Sequence, residues 1–319
     1  MSLQEAISKI EKTYGKGNIM NLDEARPPQQ DALDTGIFGL NWALGIGGLP
    51  IGRIIEVYGQ EGVGKSTIAL STIAEAQKKD LNCAYIDAEH ALNIDFAKML
   101  GVDPKKLIIS QIDYGEQGLD IAEMLIQSGD VRLIVIDSVA ALVPKAELEA
   151  EMVDQQMGLQ ARMMSKALRK LTAIMNKSKC SVMFINQLRE KIGIMFGNPT
   201  TTTGGKALKF YSSVRLEASR GEQFKDGDKI TGHEVKIKVV KNKVAPPYKT
   251  CTFDLSYTEG ISSEGFILNI SIEKGLIKRS GSWYSYEDQK IGQGADSVKQ
   301  YIKTNEDFRN ILIGKVFDK

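Results

Sequence analysis

The chain has 319 residues, with 42% hydrophobic and 25% charged side chains, and 41 basic against 40 acidic groups. That balance excludes a disordered chain, a collagen-like repeat and a small disulfide scaffold, and the length points to two domains or one large domain with an appendage. The net charge of +1 leaves no global basic field, so an anionic partner must be met by local patches.

In chain order, Leu3, Ile7 and Ile10 at helical spacing predict an amphipathic N-terminal helix. The polar stretch 23–34, with Pro27 and Pro28, reads as a linker. From about 35 to 260, short apolar runs alternate with longer helical patterns. Strands are predicted over 54–58, 83–87, 107–111, 133–137 and 181–186, and helices over 66–79, 94–100, 118–128 and 158–177. This alternation implies βαβ units and an α/β fold, with a mostly parallel sheet covered by helices on both faces. Residues 214–217, 234–241 and 249–254 read as strands with no helix between them, hence as antiparallel additions. From about 262 the polar, aromatic and Gly-rich string GSWYSYEDQKIGQG lies between helical segments and suggests a small α+β C-terminal domain. The expected division is 1–33, 34–261 and 262–319.

The longest apolar stretch, from Leu133 to Val143, is broken by Asp137 and falls short of the ~20 residues that cross a bilayer. The N-terminus has no apolar core of a signal peptide, so a cytoplasmic protein with no membrane partner is expected. Cys83, Cys180 and Cys251 read as buried free thiols, and His90 and His233 cannot make a zinc site unaided.

GQEGVGKS, Gly59 to Ser66, fits G-x-x-x-x-G-K-[ST] between the apolar run IIEVY and a helical pattern. Gly59, Gly62 and Gly64 let the backbone curl so that successive N–H groups face a phosphate. The helix starting near Lys65 adds its N-terminal dipole. Lys65 supplies a cation near the β- and γ-phosphates, and Ser66 a hydroxyl for Mg²⁺. The nucleotide-contacting set is Gly59, Gln60, Glu61, Gly62, Val63, Gly64, Lys65, Ser66 and Thr67. Asp137 closes the strand LIVID, at the carboxyl end where parallel sheets gather ligands, and is placed to hold the metal through water. Capping the next helix is the lesser alternative when it is taken alone. The strand CAYID ends in Asp87, with Glu89 two residues on. Either acid can orient and polarise the water that attacks ATP, and either can be a structural hydrogen-bond acceptor.

Met157–Lys177 carries Arg162, Lys166 and Arg169 on one helical stripe and Met164, Leu168, Leu171 and Met175 on the opposite one. One face can dock on a core while the other meets a phosphate backbone or solvent. The stretch QLREKIGIMFGNPTTTTGGKALKF reads as a long loop. Ile192, Ile194, Met195 and Phe196 can wedge between bases while Arg189, Lys191 and Lys206 meet phosphates. A core-packed hairpin is the plainer alternative.

These residues and the strings around them resemble the bacterial RecA recombinase family. The matching strings include IEKTYGKGNIM, LGIGGLPIGRIIEVYG, YIDAEHAL, VIDSVAALVPKAELE, MGLQARMMSKALRKL, FINQLREKIGIMFGNP, TTTGGKALKFYSSVRL, VKNKVAPPYK and SWYSYEDQKIGQG, in order from about residue 10 to 294. The resemblance implies a DNA-dependent ATPase using ATP and Mg²⁺. It makes Glu89 the acid that activates water, Ser66 and Asp137 the metal-associated pair, and Gln187 a γ-phosphate sensor. It makes Asn93, Phe96 and Tyr257 nucleotide contacts, and Lys241 and Lys243 cations that reach the ATP of an adjacent subunit. Without it, K-N-K reads as a solvated strand face. Two DNA loops, about 149–158 and 188–202, are implied, with Met157, Arg162, Ser165, Arg169, Arg189, Lys191, Ile192, Gly204, Gly205 and Lys206 at the DNA. The implied partners are single-stranded DNA, a homologous duplex, further copies of the chain in a helical filament, and a LexA-like repressor whose self-cleavage is stimulated in the SOS response. The N-terminal helix would pack on the neighbouring subunit, with Lys209 and Phe210 facing it. Lys278, Arg279 and Lys290 would guide duplex DNA.

Three departures from the family's pattern stand out. Thr200 replaces a common glutamate, and Ala150 and Val153 replace common glycines, which is expected to stiffen the first loop. The chain stops at KVFDK without a long acidic tail, from which easier duplex binding is expected. A small-molecule kinase would need a lid rich in arginine, which is not evident. A filament protein without turnover fits poorly with Glu89 and the lysine pair, and a ring helicase lacks the KIGIMFGNP loop.

Overall fold

The computed structural model describes residues 1–21, 31–151, 158–190 and 200–317. The N-terminal unit contains α1 (Leu3–Tyr14), started by a capping box in which Ser2 and Glu5 exchange hydrogen bonds of 3.3 and 2.8 Å. None of its residues is buried.

The second unit, 32–319, opens on β1 (Ala32–Leu33), α2 (Phe38–Leu44) and β2 (Leu49–Pro50). β1 and β2 pair antiparallel, so the segment read as a linker up to 34 is already structured at Ala32 and Leu33. The alternating region follows as β3 (Ile54–Gly59), α3 (Lys65–Lys78), β4 (Asn82–Asp87), α4 (Ile94–Met99), β5 (Leu107–Gln111), α5 (Gly115–Ser128), β6 (Val131–Asp137), α6 (Lys145–Leu148), α7 (Leu159–Ser178) and β7 (Ser181–Glu190). Next come β8 (Thr200–Thr202), α8 (Ala207–Tyr211), β9 (Val214–Asp226), β10 (Lys229–Asn242), β11 (Thr250–Ser256) and β12 (Gly260–Ser262).

Strands β3, β4, β5, β6, β7 and β9 run parallel, in the order β9-β3-β7-β6-β4-β5, and β10, β11 and β12 add antiparallel beyond β9. The antiparallel additions expected from the sequence therefore begin one strand later, because β9 enters the sheet parallel to β3. Alternate residues face opposite layers. Ile55, Val57, Cys83 and Tyr85 join one buried cluster with residues of α3, while Ile54, Ala84 and Ile86 join another with residues of α5, α7 and α8. Burial on both faces is why these strands read as unbroken apolar runs. β5 is the edge, and Ile108 and Ile109 are about half exposed there.

The last part holds α9 (Glu264–Glu273), the antiparallel sheet β13 (Ile277–Ser280), β14 (Trp283–Tyr286) and β15 (Gln289–Gln293), then α10 (Ala295–Thr304) and α11 (Glu306–Phe317). Ile267, Leu268, Ile277, Val298, Ile302 and Leu312 form its core, and Phe38 of α2 joins them.

Candidate functional site

Register brings the carboxyl ends of β3, β4 and β6 close together, with Asp87 and Asp137 about two residues below the level of Gly59. Gly59 pairs with Gln187 on one side and Ala218 on the other, and Asp87 pairs with Asp137. The chain leaves β3 through the phosphate loop and enters α3 at Lys65. Gly62 and Gly64 take φ values of 65° and 97°, which glycine adopts without steric cost. A Cβ on Gly59 would stand 2.2 Å from the Ala218 carbonyl oxygen, so the loop starts tight against neighbouring backbone. Arg220 Nη2 donates to the Gly62 carbonyl at 2.8 Å. No sequence signal had singled out Arg220.

Lys65 is buried, and its Nζ donates to the carbonyls of Gly59 at 3.2 Å and Gln60 at 2.7 Å. These partners are neutral. Burial lowers the Lys65 pKa, against the pull of Asp137, Glu89 and Glu61. A buried ammonium bonded only to carbonyls is suited to an anion. Ser66 Oγ and the Tyr85 hydroxyl both donate to Asp137 Oδ2 at 2.6 Å. Burial raises the Asp137 pKa, opposed first by these two hydroxyls. The peptide between Asp137 and Ser138 is cis.

The two acids that the sequence left as equals now differ. Asp87 is buried, and its two oxygens accept from the backbone N–H groups of Ala91 and Leu92 at 3.2 and 3.1 Å. It closes the turn after β4. Glu89 is exposed, and its Oε1 accepts from the Ser138 hydroxyl and from Gln187 Nε2, the latter at 3.0 Å. Asn93 Oδ1 caps α4 by accepting from Phe96 N at 2.9 Å. Phe96, Asn93, Ser66, Asp137 and Glu89 share one cavity of about 140 Å³. Tyr257 follows β11, away from that cavity lining, with its hydroxyl 3.1 Å from His233 Nδ1.

Lys241 and Lys243 do not join this group in their own chain. Lys241 pairs with Arg215, which pairs with Glu56, three residues back from Gly59 and two strands across. That is about 10 Å along the sheet and a similar distance sideways. Its Nζ donates to the carbonyls of Lys209 and Phe210 at 2.6 and 3.0 Å. Burial, then Lys243 and Arg215, lower its pKa. Lys243 N donates to Ser213 O, and Ser213 N to Ile54 O, at the start of β3.

The helix stripe of the DNA side is present in α7. Arg162, Lys166 and Arg169 are exposed, while Met164, Leu168, Leu171 and Met175 are buried. Ser165 Oγ is taken by the Ala161 carbonyl at 2.7 Å. The ends of the second expected loop form a short stem, with Leu188, Arg189 and Glu190 paired to Thr202, Thr201 and Thr200. Met157, Lys191, Ile192 and Val153 lie outside the described residues. Gly204 and Gly205 both have φ of 78°. A Cβ there would stand 2.8 Å from Val139 and 2.7 Å from Ala161, so the stem returns tight against α7 and the turn after β6. Lys206 is exposed at the start of α8.

Two polar side chains that sequence reasoning missed join these parts. Gln160 Nε2 donates to the carbonyls of Val139 and Leu142, and its Oε1 accepts from Gly204 N. Asn186 Nδ2 donates to Glu56 Oε1 at 3.0 Å and to the Thr203 carbonyl at 3.1 Å, while its Oδ1 accepts from Gln187 N at 2.9 Å. Glu56 is fully buried and also accepts from Arg215 Nε at 2.5 Å.

The family model for the RecA N-terminal domain matches residues 1–262, and that for the RecA C-terminal domain matches 265–319. The chain belongs to the RecA family. The Protein RecA of Clostridioides difficile (strain 630) is 58% identical over 315 residues, covering 99% of this chain and 90% of that protein. The Protein RecA of Geobacter sulfurreducens is 56% identical over 319 residues, covering 99% and 94%. That of Bacillus velezensis is 56% identical over 306 residues, covering 96% and 88%. As a RecA-family chain it is a DNA-dependent ATPase that acts in recombination, repair and the SOS response. A magnesium nucleotide fits the observed group, because the glycine cradle, the uncompensated Lys65 cation and the Ser66–Asp137 pair supply the donors it needs. Among the described residues, no helix is long and apolar enough to cross a membrane.

Proposed function

We propose that this chain assembles as a helical filament on single-stranded DNA and uses ATP to pair that strand with a homologous duplex and exchange strands. The observation that carries the reading is the Gln187–Glu89 hydrogen bond at the root of the β7–β8 stem. It joins a residue beside the phosphate loop to a strand that runs into the second DNA loop.

In this reading the backbone N–H groups of the loop and Lys65 hold the triphosphate. Ser66 and Asp137 would hold Mg²⁺, which neutralises charge on the phosphates. Glu89 orients and polarises the attacking water, since Asp87 is occupied by backbone N–H groups. Asn93, Phe96 and Tyr257 border the base. Lys241 and Lys243, standing at the far end of their own sheet, act on the ATP of the next subunit. Gln187 senses the γ-phosphate, and its shift passes through Asn186 to Thr203 on the returning side of the stem. Arg162, Ser165, Arg169, Arg189, Gly204, Gly205 and Lys206, with Met157, Lys191 and Ile192, meet phosphates and bases without reading sequence. Base pairing then does the reading. The division 1–33, 34–261 and 262–319 gives a subunit-contacting arm, the ATPase core and a duplex-guiding domain. The same filament would stimulate self-cleavage of a LexA-like repressor.

Hydrolysis with and without single-stranded DNA, at matched salt and Mg²⁺, is measured beside a strand-exchange assay. Stimulated hydrolysis with exchange of homologous but not unrelated duplex is expected. Stimulated hydrolysis without any exchange would overturn the recombinase reading.

A further inference from the structure

His233 of β10 is fully buried behind the phosphate loop. Its Nδ1 lies 3.1 Å from the Tyr257 hydroxyl, and the two rings meet edge to face at 5.8 Å. Its Nε2 is buried without a well-formed hydrogen bond, with the Val63 backbone as the polar group beside the ring. The Val63 backbone and the Arg220 guanidinium face the same ring, and Arg220 itself holds the Gly62 carbonyl. On either side, Val235 and Leu255 would touch a Cβ on Gly64 at 3.4 and 3.3 Å. One imidazole therefore stands between the loop backbone and the tyrosine.

Burying an imidazole with a poorly matched nitrogen costs stability, and an apolar side chain would fill the place without that cost. With the tyrosine O–H donating to Nδ1, the neutral ring carries its proton on Nε2, on the side left free to meet the loop.

We propose that His233 is a positioning residue of the nucleotide site, which holds the Tyr257 ring through its hydroxyl at a fixed place relative to the phosphate loop. It thereby sets how tightly the base of ATP is held relative to its phosphates. The proposal rests on reading Tyr257 as a nucleotide contact.

Equilibrium titration of the full chain with Mg-ATP, and separately with inorganic tripolyphosphate, tests it. His233→Leu should weaken ATP by about two- to tenfold and leave tripolyphosphate unchanged. His233→Asn, whose amide oxygen can accept near the Nδ1 position, should recover most of the ATP affinity. Tyr257→Phe should match His233→Leu, and the double variant should lose no more. If His233→Leu does not fold, Tyr257→Phe and His233→Asn carry the test. Equal losses for ATP and tripolyphosphate, or additive losses in the double variant, would overturn the proposal. Tyr257→Ala tests the underlying reading separately. A selective loss of ATP affinity supports it, and unchanged affinity would remove Tyr257 from the site and the proposal with it.

Discussion

At its carboxyl end the central sheet gathers Lys65, Ser66, Glu89, Asp137 and Gln187 around the phosphate loop, whereas toward its amino end Lys241 and Lys243 stand apart from that loop in their own chain. Within the first group Ser66 bonds Asp137 and Gln187 bonds Glu89, side chain to side chain. Lys241 instead rests on the carbonyls of Lys209 and Phe210. In the proposed reading, such a site is complete only when the far end of one sheet meets the near end of another. Hydrolysis would then depend on assembly.

Disabling each end by itself separates the two regions with the largest effect. Lys241→Ala with Lys243→Ala, and Glu89→Gln alone, should each lower kcat by on the order of 10³-fold while the chain stays folded. Mixing the two variants should restore part of the activity, because some junctions then pair an intact Glu89 with intact lysines. A mixture as inactive as its components would place the lysines in their own chain's chemistry and contradict a site shared between subunits.

A smaller effect tests the strut between the ends. Arg215→Ala leaves the buried Glu56 carboxylate without its cation, and should cost about 3 kcal/mol, seen as a fall in Tm. Retained Tm would mean that Glu56 is satisfied by Asn186 alone.

The smallest concerns His233. Burial first, and then Arg220, hold its pKa below the ordinary 6.5, so the folded chain binds fewer protons there than the unfolded one. Stability from this group is full above 6.5 and is lost as pH falls below it. His233→Asn should flatten the acid limb of a Tm-against-pH curve. An unchanged limb would assign the acid loss to other groups.

The apolar runs of the parallel strands were legible because both faces of the sheet are buried, and the phosphate loop because its glycines and lysine have few other uses together. The choice between Asp87 and Glu89 was not legible from composition, since it depends on which acid the turn at 91–92 consumes. Gln160, Asn186, Arg220 and His233 gave no signal. Each works through a partner distant in the chain, which only the packed fold brings near. The parallel entry of β9 was hidden for a related reason. A strand-like run does not state the direction of its neighbour.

In the proposed reading, the coupling of ATP to the DNA loop rests on Gln187. Single-strand affinity of Gln187→Ala, with and without ATP and beside a measurement of ATP binding, decides whether it does. ATP should still bind but no longer tighten the protein on single strands. Tightening equal to that of the unaltered chain would contradict a route through Gln187.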